Sequence, residues 1–324
     1  MSTSLDWTSR PSDVFAELPT AHMTHATVLI TGPTSGVGET AAVAFASLGC
    51  RLVLAARSES RVQEMLERRN LRSHSNISFI PCDLNSLSDV AACATRFLEM
   101  QRSEGWPPLK VLVLNAGVYN FSGGYKASAD GFESTFAVNH LGHFLLTLKL
   151  MPALEAAAPS RVVVVGSGSQ FGPLTTHCVE ERSALQALAM PDESTQKRFW
   201  HVAASRAYGS SKLANTMFAR SIHAKFSAKG IACCSLHPGT LMASDMGRES
   251  NVANFVLKRV LSWVTKDLQQ GASTTLYCSL APHESLEGEF FSDCGRAKRS
   301  NLATDTACEL LWQLSLELCQ PFNM

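Results

Sequence analysis

The chain has 324 residues, 45% of them hydrophobic and 17% charged, and its 28 Lys and Arg balance its 28 Asp and Glu. So much apolar material builds a large core and excludes an intrinsically disordered chain. The neutral balance leaves no basic field to hold nucleic acid or an acidic membrane surface. The ten cysteines form no Cys-x-x-Cys pair and no zinc-type spacing, and several sit in apolar runs. They read as small hydrophobes in a reducing, cytoplasmic setting, with no metal site. The first residues have neither the basic start nor the apolar run of a secretory signal. No run reaches the ~18 apolar residues that read as a transmembrane segment.

Residues 1–25 carry no periodic apolar signal and read as an N-terminal arm, either wrapped on the protein or disordered. From residue 26 to 324, strands and helices alternate. This predicts a single α/β domain of Rossmann type, a doubly wound parallel sheet with helices on both faces. A strand is expected at 26–31, then a glycine turn and a helix from Gly38 to a cap at Gly49. A strand at 51–56, a charged helix at 59–70, a strand at 77–80 and a helix at 87–101 follow. Glu104-Gly105-Trp106-Pro107-Pro108 reads as a surface connection, and 111–114 as a strand apolar on both faces. A long helix over 131–150, a strand at 162–165, a helix at 205–227 and a strand at 231–236 come next. Segment 251–265 is amphipathic and reads as a helix over a substrate pocket, with peripheral contact to a membrane surface as the other possibility. A helix at 268–280, a short strand at 290–291 and an outer C-terminal helix at 305–318 complete the domain.

The first strand runs into Thr31-Gly32-Pro33-Thr34-Ser35-Gly36-Val37-Gly38. Glycines at this spacing between a strand and a helix permit a tight turn, close approach to a pyrophosphate, and close helix–strand packing. The helix N-terminus then offers free N–H groups and partial positive charge. At the end of the second strand, Ala55-Ala56-Arg57-Ser58 supplies no acid to bond a ribose 2′-hydroxyl. Arg57 can instead pair with a 2′-phosphate, which predicts NADP(H) over NAD(H). Asp83 and Leu84 follow the third strand, where a carboxylate and an N–H can hold adenine. Asn115-Ala116-Gly117 end the fourth strand, with small residues that allow close approach of the adenosine.

Tyr208 and Lys212 stand four residues apart in a predicted helix and share one face. A neighbouring ammonium favours phenolate, so the pair is expected to lower the Tyr208 pKa and ready it for acid–base work. Ser167 follows an apolar strand, at the end where α/β sheets hold ligands, and its hydroxyl can bond a carbonyl oxygen. Asn139 interrupts a predicted helix, and a backbone distortion there can hold a water linked to Lys212. Pro238-Gly239-Thr240 form a turn able to cradle a nicotinamide amide.

With Thr31-Gly32-x-x-x-Gly36-x-Gly38, Asn115-Ala116-Gly117, Asn139, Ser167, Tyr208-x-x-x-Lys212 and Pro238-Gly239 in this order, the chain resembles the short-chain dehydrogenase/reductase family over residues 26–292. The stretches Val138–Phe144, Leu236–Met242 and Gln269–Thr275 are similar to its retinol-dehydrogenase-like branch. The resemblance implies an NADP-dependent oxidoreductase acting on a small apolar carbonyl or alcohol of retinoid, steroid or polycyclic kind. Tyr208 would be its general acid, Lys212 the ribose-binding cation, Ser167 the carbonyl-orienting hydroxyl, and Asn139 the holder of a relay water. It also implies pairing of two copies through the two long helices. Two departures stand out: Gly166-Ser167 where the family often has Ser-Ser, and a long interval from Ser167 to Tyr208. The long segment 168–207, with Phe199, Trp200 and His201, is expected to border the substrate pocket. Alternative readings are a specialised-metabolite reductase of bulky aromatic ketones and a non-catalytic NADP-binding interaction protein. His140 and His143 read as packing or polar contacts, His237 as structural, and Cys233 and Cys234 as neighbours on opposite faces of a strand.

Overall fold

The computed structural model describes residues 4–120, 124–172, 175, 178–190, 200–239 and 266–322. Strands β1 (Thr27–Thr31), β2 (Arg51–Ala56), β3 (Ile77–Pro81), β4 (Leu109–Leu114), β5 (Ser160–Val165), β6 (Ile231–His237), β7 (Phe290–Ser292) and β8 (Gly295–Ala297) form one sheet. Its order is β3-β2-β1-β4-β5-β6-β7-β8. Pairing is parallel throughout except between β7 and β8. Sheet growth reverses direction between β1 and β4, and the crevice outside their C-terminal ends is where such sheets bind ligands.

The central strands are buried on both faces, and alternate residues feed two cores. Leu29, Leu112, Leu114, Val162, Val164 and Cys233 enter one core, together with helices α4 (Leu87–Ser103), α6 (Gly142–Ala156), α8 (Trp200–Phe226) and α10 (Asp305–Cys319). Val28, Ile30, Val163, Val165, Cys234 and Leu236 enter the other, with α1 (Pro11–Glu17), α2 (Gly36–Ser47), α3 (Glu59–Arg68) and α9 (Leu268–Leu280). Cys233 and Cys234 thus do face opposite sides.

Residues 4–25 take the wrapped of the two forms expected for the arm: Val14, Leu18 and Met23 are buried in the second core, and Arg10 pairs with Asp267 at 3.0 Å. Several elements differ from expectation. Helix α2 starts at Gly36, two residues early, because the second glycine already belongs to its first turn. A hairpin, not a single strand, ends the sheet: Asp293 and Cys294, both with φ of 57°, turn β7 into β8, the geometry of a tight two-residue loop. The helix expected over 131–150 is α5 (Ser134–Phe136), a π turn over Ala137–Leu141, and then α6. Helix α7 (Arg182–Ala189) stands inside the long interval before Tyr208. Helix α10 lies across α6 and α8, where Trp312 meets Phe144 at 5.0 Å, Phe226 at 6.2 Å and Phe218 at 6.3 Å between centroids. Segment 251–265 and Phe199 lie outside the described residues. Among the described residues, no helix is long and apolar enough to cross a membrane.

Candidate active site

The ends of β1 and β4 are tied together. Thr31 Oγ1 accepts from the backbone N–H groups of Asn115 and Ala116, each at 3.0 Å. Asn115 Nδ2 donates to the carbonyls of Thr31 at 2.9 Å and Gly32 at 3.1 Å. The three glycines each have a local cause. Gly32 (φ 64°) turns against Ala116, whose Cα would lie 2.9 Å from an added Cβ. Gly36 (φ 61°) has nothing within 4 Å of that position, and Gly38 is closed in by Asn115 Nδ2 and the Gly32 carbonyl. Ser35, at the N-cap of α2, makes no side-chain capping bond. The first turn of α2 therefore keeps free N–H groups beside an open backbone cradle, which fits a pyrophosphate. Thr34 and Ser35 are half-buried there and Val37 is buried.

The other residues expected at the cofactor follow the C-terminal ends of β2, β3, β4 and β6. Arg57 follows the last residue of β2 and is exposed. Asp83 is half-buried, with Oδ1 accepting from the Asn85 N–H at 3.0 Å. Leu84 is buried, and Gly142 packs so closely that an added Cβ would lie 2.9 Å from the Leu84 carbonyl. Gly117 is exposed above Lys212, whose Nζ would be 3.2 Å from a Cβ there. Pro238 and Gly239 follow β6, and Gly239 (φ 100°) is held against the Lys266 side chain. Thr240 lies outside the described residues.

Tyr208, Ser167, Lys212 and Asn139 come together at the C-terminal ends of β4 and β5. The Tyr208 phenol faces the Ser167 side chain, which favours its ionised form. Ser167 sits in extended backbone, and its Oγ accepts from the Ser169 N–H at 3.2 Å. His237 has the structural role expected of it: Nδ1 accepts from the Gly168 N–H at 3.1 Å, fixing the loop behind Ser167. Gly166 replaces a serine for a local reason, since a side chain there would lie 2.9 Å from the Leu236 carbonyl. Lys212 is buried, and its Nζ donates to the Val165 carbonyl at 2.9 Å. Burial lowers its pKa from the ordinary 10.5 to about 8.

The expected lowering of the Tyr208 pKa is not what this arrangement produces. Burial raises it above the ordinary 10.0, Ser167 opposes the rise, and Tyr119 adds to it. Lys212 does not reverse this, because its Nζ is turned onto Val165 and stands 5.7 Å from the Tyr208 ring centroid. Desolvation outweighs an ammonium aimed elsewhere.

The backbone distortion expected at Asn139 is the π turn. The Asn139 side chain has a second task that sequence reasoning missed. Its Oδ1 accepts from the Val118 N–H at 2.8 Å, and its Nδ2 donates to the Val118 carbonyl at 3.0 Å and to Ser211 Oγ at 2.9 Å. This clamps the segment that carries Tyr119, a residue also missed, whose ring lies over Tyr208. Val118 and Phe171 stay 38% and 51% exposed near the site, leaving it an apolar rim. His140 and His143 are buried polar contacts: His140 Nε2 meets Ser315 Oγ at 2.8 Å, and His143 Nε2 meets Thr31 Oγ1 at 2.9 Å.

The fold and this geometry coincide with the family comparisons: the chain belongs to the short-chain dehydrogenase/reductase family and is an oxidoreductase of that family. The short chain dehydrogenase model matches residues 26–179, and a model of the NAD dependent epimerase/dehydratase family matches 115–314. The chain is similar to the WW domain-containing oxidoreductase of Danio rerio, 37% identical over 90% of this chain and 68% of that protein. It is also similar to retinol dehydrogenase 12 of Mus musculus, 35% identical over 90% of this chain and 85% of that protein. An uncharacterized protein of Mycobacterium paratuberculosis shares the fold, with a TM-score of 0.67 and 26% identity over 94% of this chain and 96% of that one.

Proposed function

We propose that the protein is an NADP(H)-dependent oxidoreductase that interconverts an apolar ketone or aldehyde and its alcohol. The carrying observation is the Tyr208 phenol facing the Ser167 side chain, with Lys212 buried one helical turn on. NADP over NAD is supported by Arg57 at the end of β2, with no acid in Ala55-Ala56-Arg57-Ser58. An apolar substrate of retinoid, steroid or polycyclic kind is supported by the rim of Val118, Tyr119 and Phe171.

The α2 N-terminus, Arg57, Asp83 and Asn115–Gly117 would hold a nicotinamide nucleotide, which would supply or accept the hydride. The protein's own residues do the rest. Ser167 Oγ orients the carbonyl oxygen, and Tyr208 donates its phenolic proton to that oxygen as charge develops. A raised pKa keeps Tyr208 protonated at neutral pH, which suits reduction. Lys212 would hold the ribose, and a water on the Asn139 main chain would link it to solvent for the return of a proton to Tyr208. The cofactor site and the donor pair stand on strand ends and a long helix, so their spacing is pre-set.

The test is turnover of purified protein with NADPH and with NADH against retinals, steroids, quinones and aryl ketones. Tyr208→Phe should keep cofactor binding and lose about 10²–10⁴-fold in kcat, the span of general acid catalysis. Arg57→Ala should weaken NADPH by about ten-fold or more and leave NADH little changed. Equal turnover by Tyr208→Phe would overturn the mechanism, and an unchanged coenzyme ratio in Arg57→Ala would overturn the NADP assignment.

A further inference from the structure

His143 is buried in the first turn of α6, with its ring between two partners on different parts of the site. Nε2 lies 2.9 Å from Thr31 Oγ1, and Nδ1 lies 3.2 Å from the Asn139 carbonyl. The direction of these bonds follows from counting. Thr31 Oγ1 already accepts from the N–H groups of Asn115 and Ala116. Both acceptor positions of the hydroxyl are filled, so it donates its own hydrogen to His143 Nε2. The imidazole then carries its proton on Nδ1 and donates it to the Asn139 carbonyl. Burial holds the ring neutral, with its pKa lowered to about 3, as this single tautomer requires.

We propose that His143 is a positioning residue that locks the Asn139 carbonyl of the π turn to the cofactor-binding ends of β1 and β4 through Thr31. One arm of the ring fixes the Asn139 main-chain carbonyl. The other arm fixes the hydroxyl that sets Asn115 and Ala116 beside the glycine turn. A π turn is a local slip of helical register, and the His143 bond to the Asn139 carbonyl ties this one to the helix that follows it. The carbonyl arm rests on the proposed oxidoreductase reading, whereas the Thr31 arm concerns cofactor binding alone.

Conservative variants separate the two arms. In His143→Asn an amide nitrogen stands near the place of Nδ1, so the Asn139 bond is kept and the Thr31 bond lost. In His143→Gln an amide oxygen reaches the place of Nε2, with the reverse result. NADPH and NADH Kd values are read by nicotinamide fluorescence, kcat and KM by steady-state turnover, and folding by circular dichroism and melting. His143→Asn should weaken coenzyme by about ten-fold with kcat near wild type, and His143→Gln should lower kcat by about ten-fold with Kd near wild type. His143→Phe, where folded, should show both losses. Kd and kcat within two-fold of wild type in folded His143→Phe would overturn the proposal, as would equal effects of the Asn and Gln variants. If that variant does not fold, the Asn–Gln pair decides. A wild-type protein that binds NADPH yet turns over nothing would count against the oxidoreductase reading. The proposal then stands or falls on whether His143→Asn binds NADPH more weakly than His143→Gln.

Discussion

Tyr119 lies over Tyr208, with ring centroids 4.8 Å apart and planes tilted by 38°. Its hydroxyl is 3.0 Å from Ser205 Oγ, one helical turn before Tyr208, so the cover is anchored to the helix it shields. A planar substrate docked against Tyr208 would meet this ring. An aromatic pair is worth about 0.5–1.5 kcal/mol beyond its buried area. Tyr119→Ala should therefore raise KM for polycyclic and aryl ketones by roughly two- to ten-fold, with kcat for small aliphatic carbonyls little changed. Tyr119→Phe should fall between. A KM series over substrates of increasing ring number checks this, and a uniform effect on all of them would exclude Tyr119 from substrate selection.

Lys212 makes stability and activity oppose each other. Its pKa is lowered to about 8 when folded, against an ordinary 10.5. Below pH 8 both states carry the proton and the folded state bears the full burial cost. Between about 8 and 10.5 the folded state sheds it first, the unfolded state binds more protons, and stability rises with pH. The cost below pH 8 is about 3 kcal/mol at ~1.4 kcal/mol per pKa unit. Lys212→Met should raise the melting temperature of the cofactor-free protein at pH 7, and the gain should shrink toward pH 10.5. Turnover should be lost at every pH. Melting curves across pH 6–10 compare the two proteins.

Much of this site was readable from residue spacing, because short-range geometry decides it. Gly32, Gly36 and Gly38 were placed by a turn that only small residues allow, and Tyr208 and Lys212 by the pitch of a helix. The unfavourable position of Asn139 in a helix signalled the π turn. What escaped reading depends on contacts far apart in the chain. Tyr119 sits in a loop without periodicity, and nothing near it points to Tyr208. The clamp from Asn139 to Val118 and Ser211 needs three segments in place. The raised Tyr208 pKa depends on where the Lys212 ammonium points, which helical spacing alone does not determine. Strand β8 was missed because Asp293-Cys294 lacks the usual Asn-Gly or Asp-Gly turn signal. The N-terminal helix was missed because its few buried residues, Val14 among them, make no repeating pattern.

Glu39 shows an asymmetry that mutagenesis can read. It is buried in the first turn of α2, and both carboxylate oxygens are used: Oε2 by Arg68 at 2.8 Å and Oε1 by Arg69 at 2.5 Å. The two guanidinium groups are about half exposed, and solvent can take them back. Glu39→Gln should therefore cost about 1 kcal/mol or less, as for an exposed pair. Replacing both Arg68 and Arg69 by Ala strands a carboxylate in the interior and should cost about 3 kcal/mol or more. Urea unfolding of the two variants tests the order, and equal losses would mean that Glu39 finds solvent when its partners are gone.

Helix α10 occupies the face through which pairing by the two long helices was expected. Trp312 is packed among Phe144, Phe218 and Phe226, and His140 reaches across to Ser315. The same outer surface of α6 and α8 cannot serve both α10 and a second copy. The intact protein should therefore run as a monomer in light scattering, or pair through another surface. Trp312→Ala should cost about 3–5 kcal/mol, the range for deleting a buried large aromatic ring. Ending the chain at Ala303 should do more: it bares Phe144 and Phe218 as one apolar face, which seeks another copy. Light scattering of the truncated protein should then show dimers or larger species. A truncated protein that stays monomeric and keeps its melting temperature would mean that α10 covers nothing the rest of the fold needs hidden.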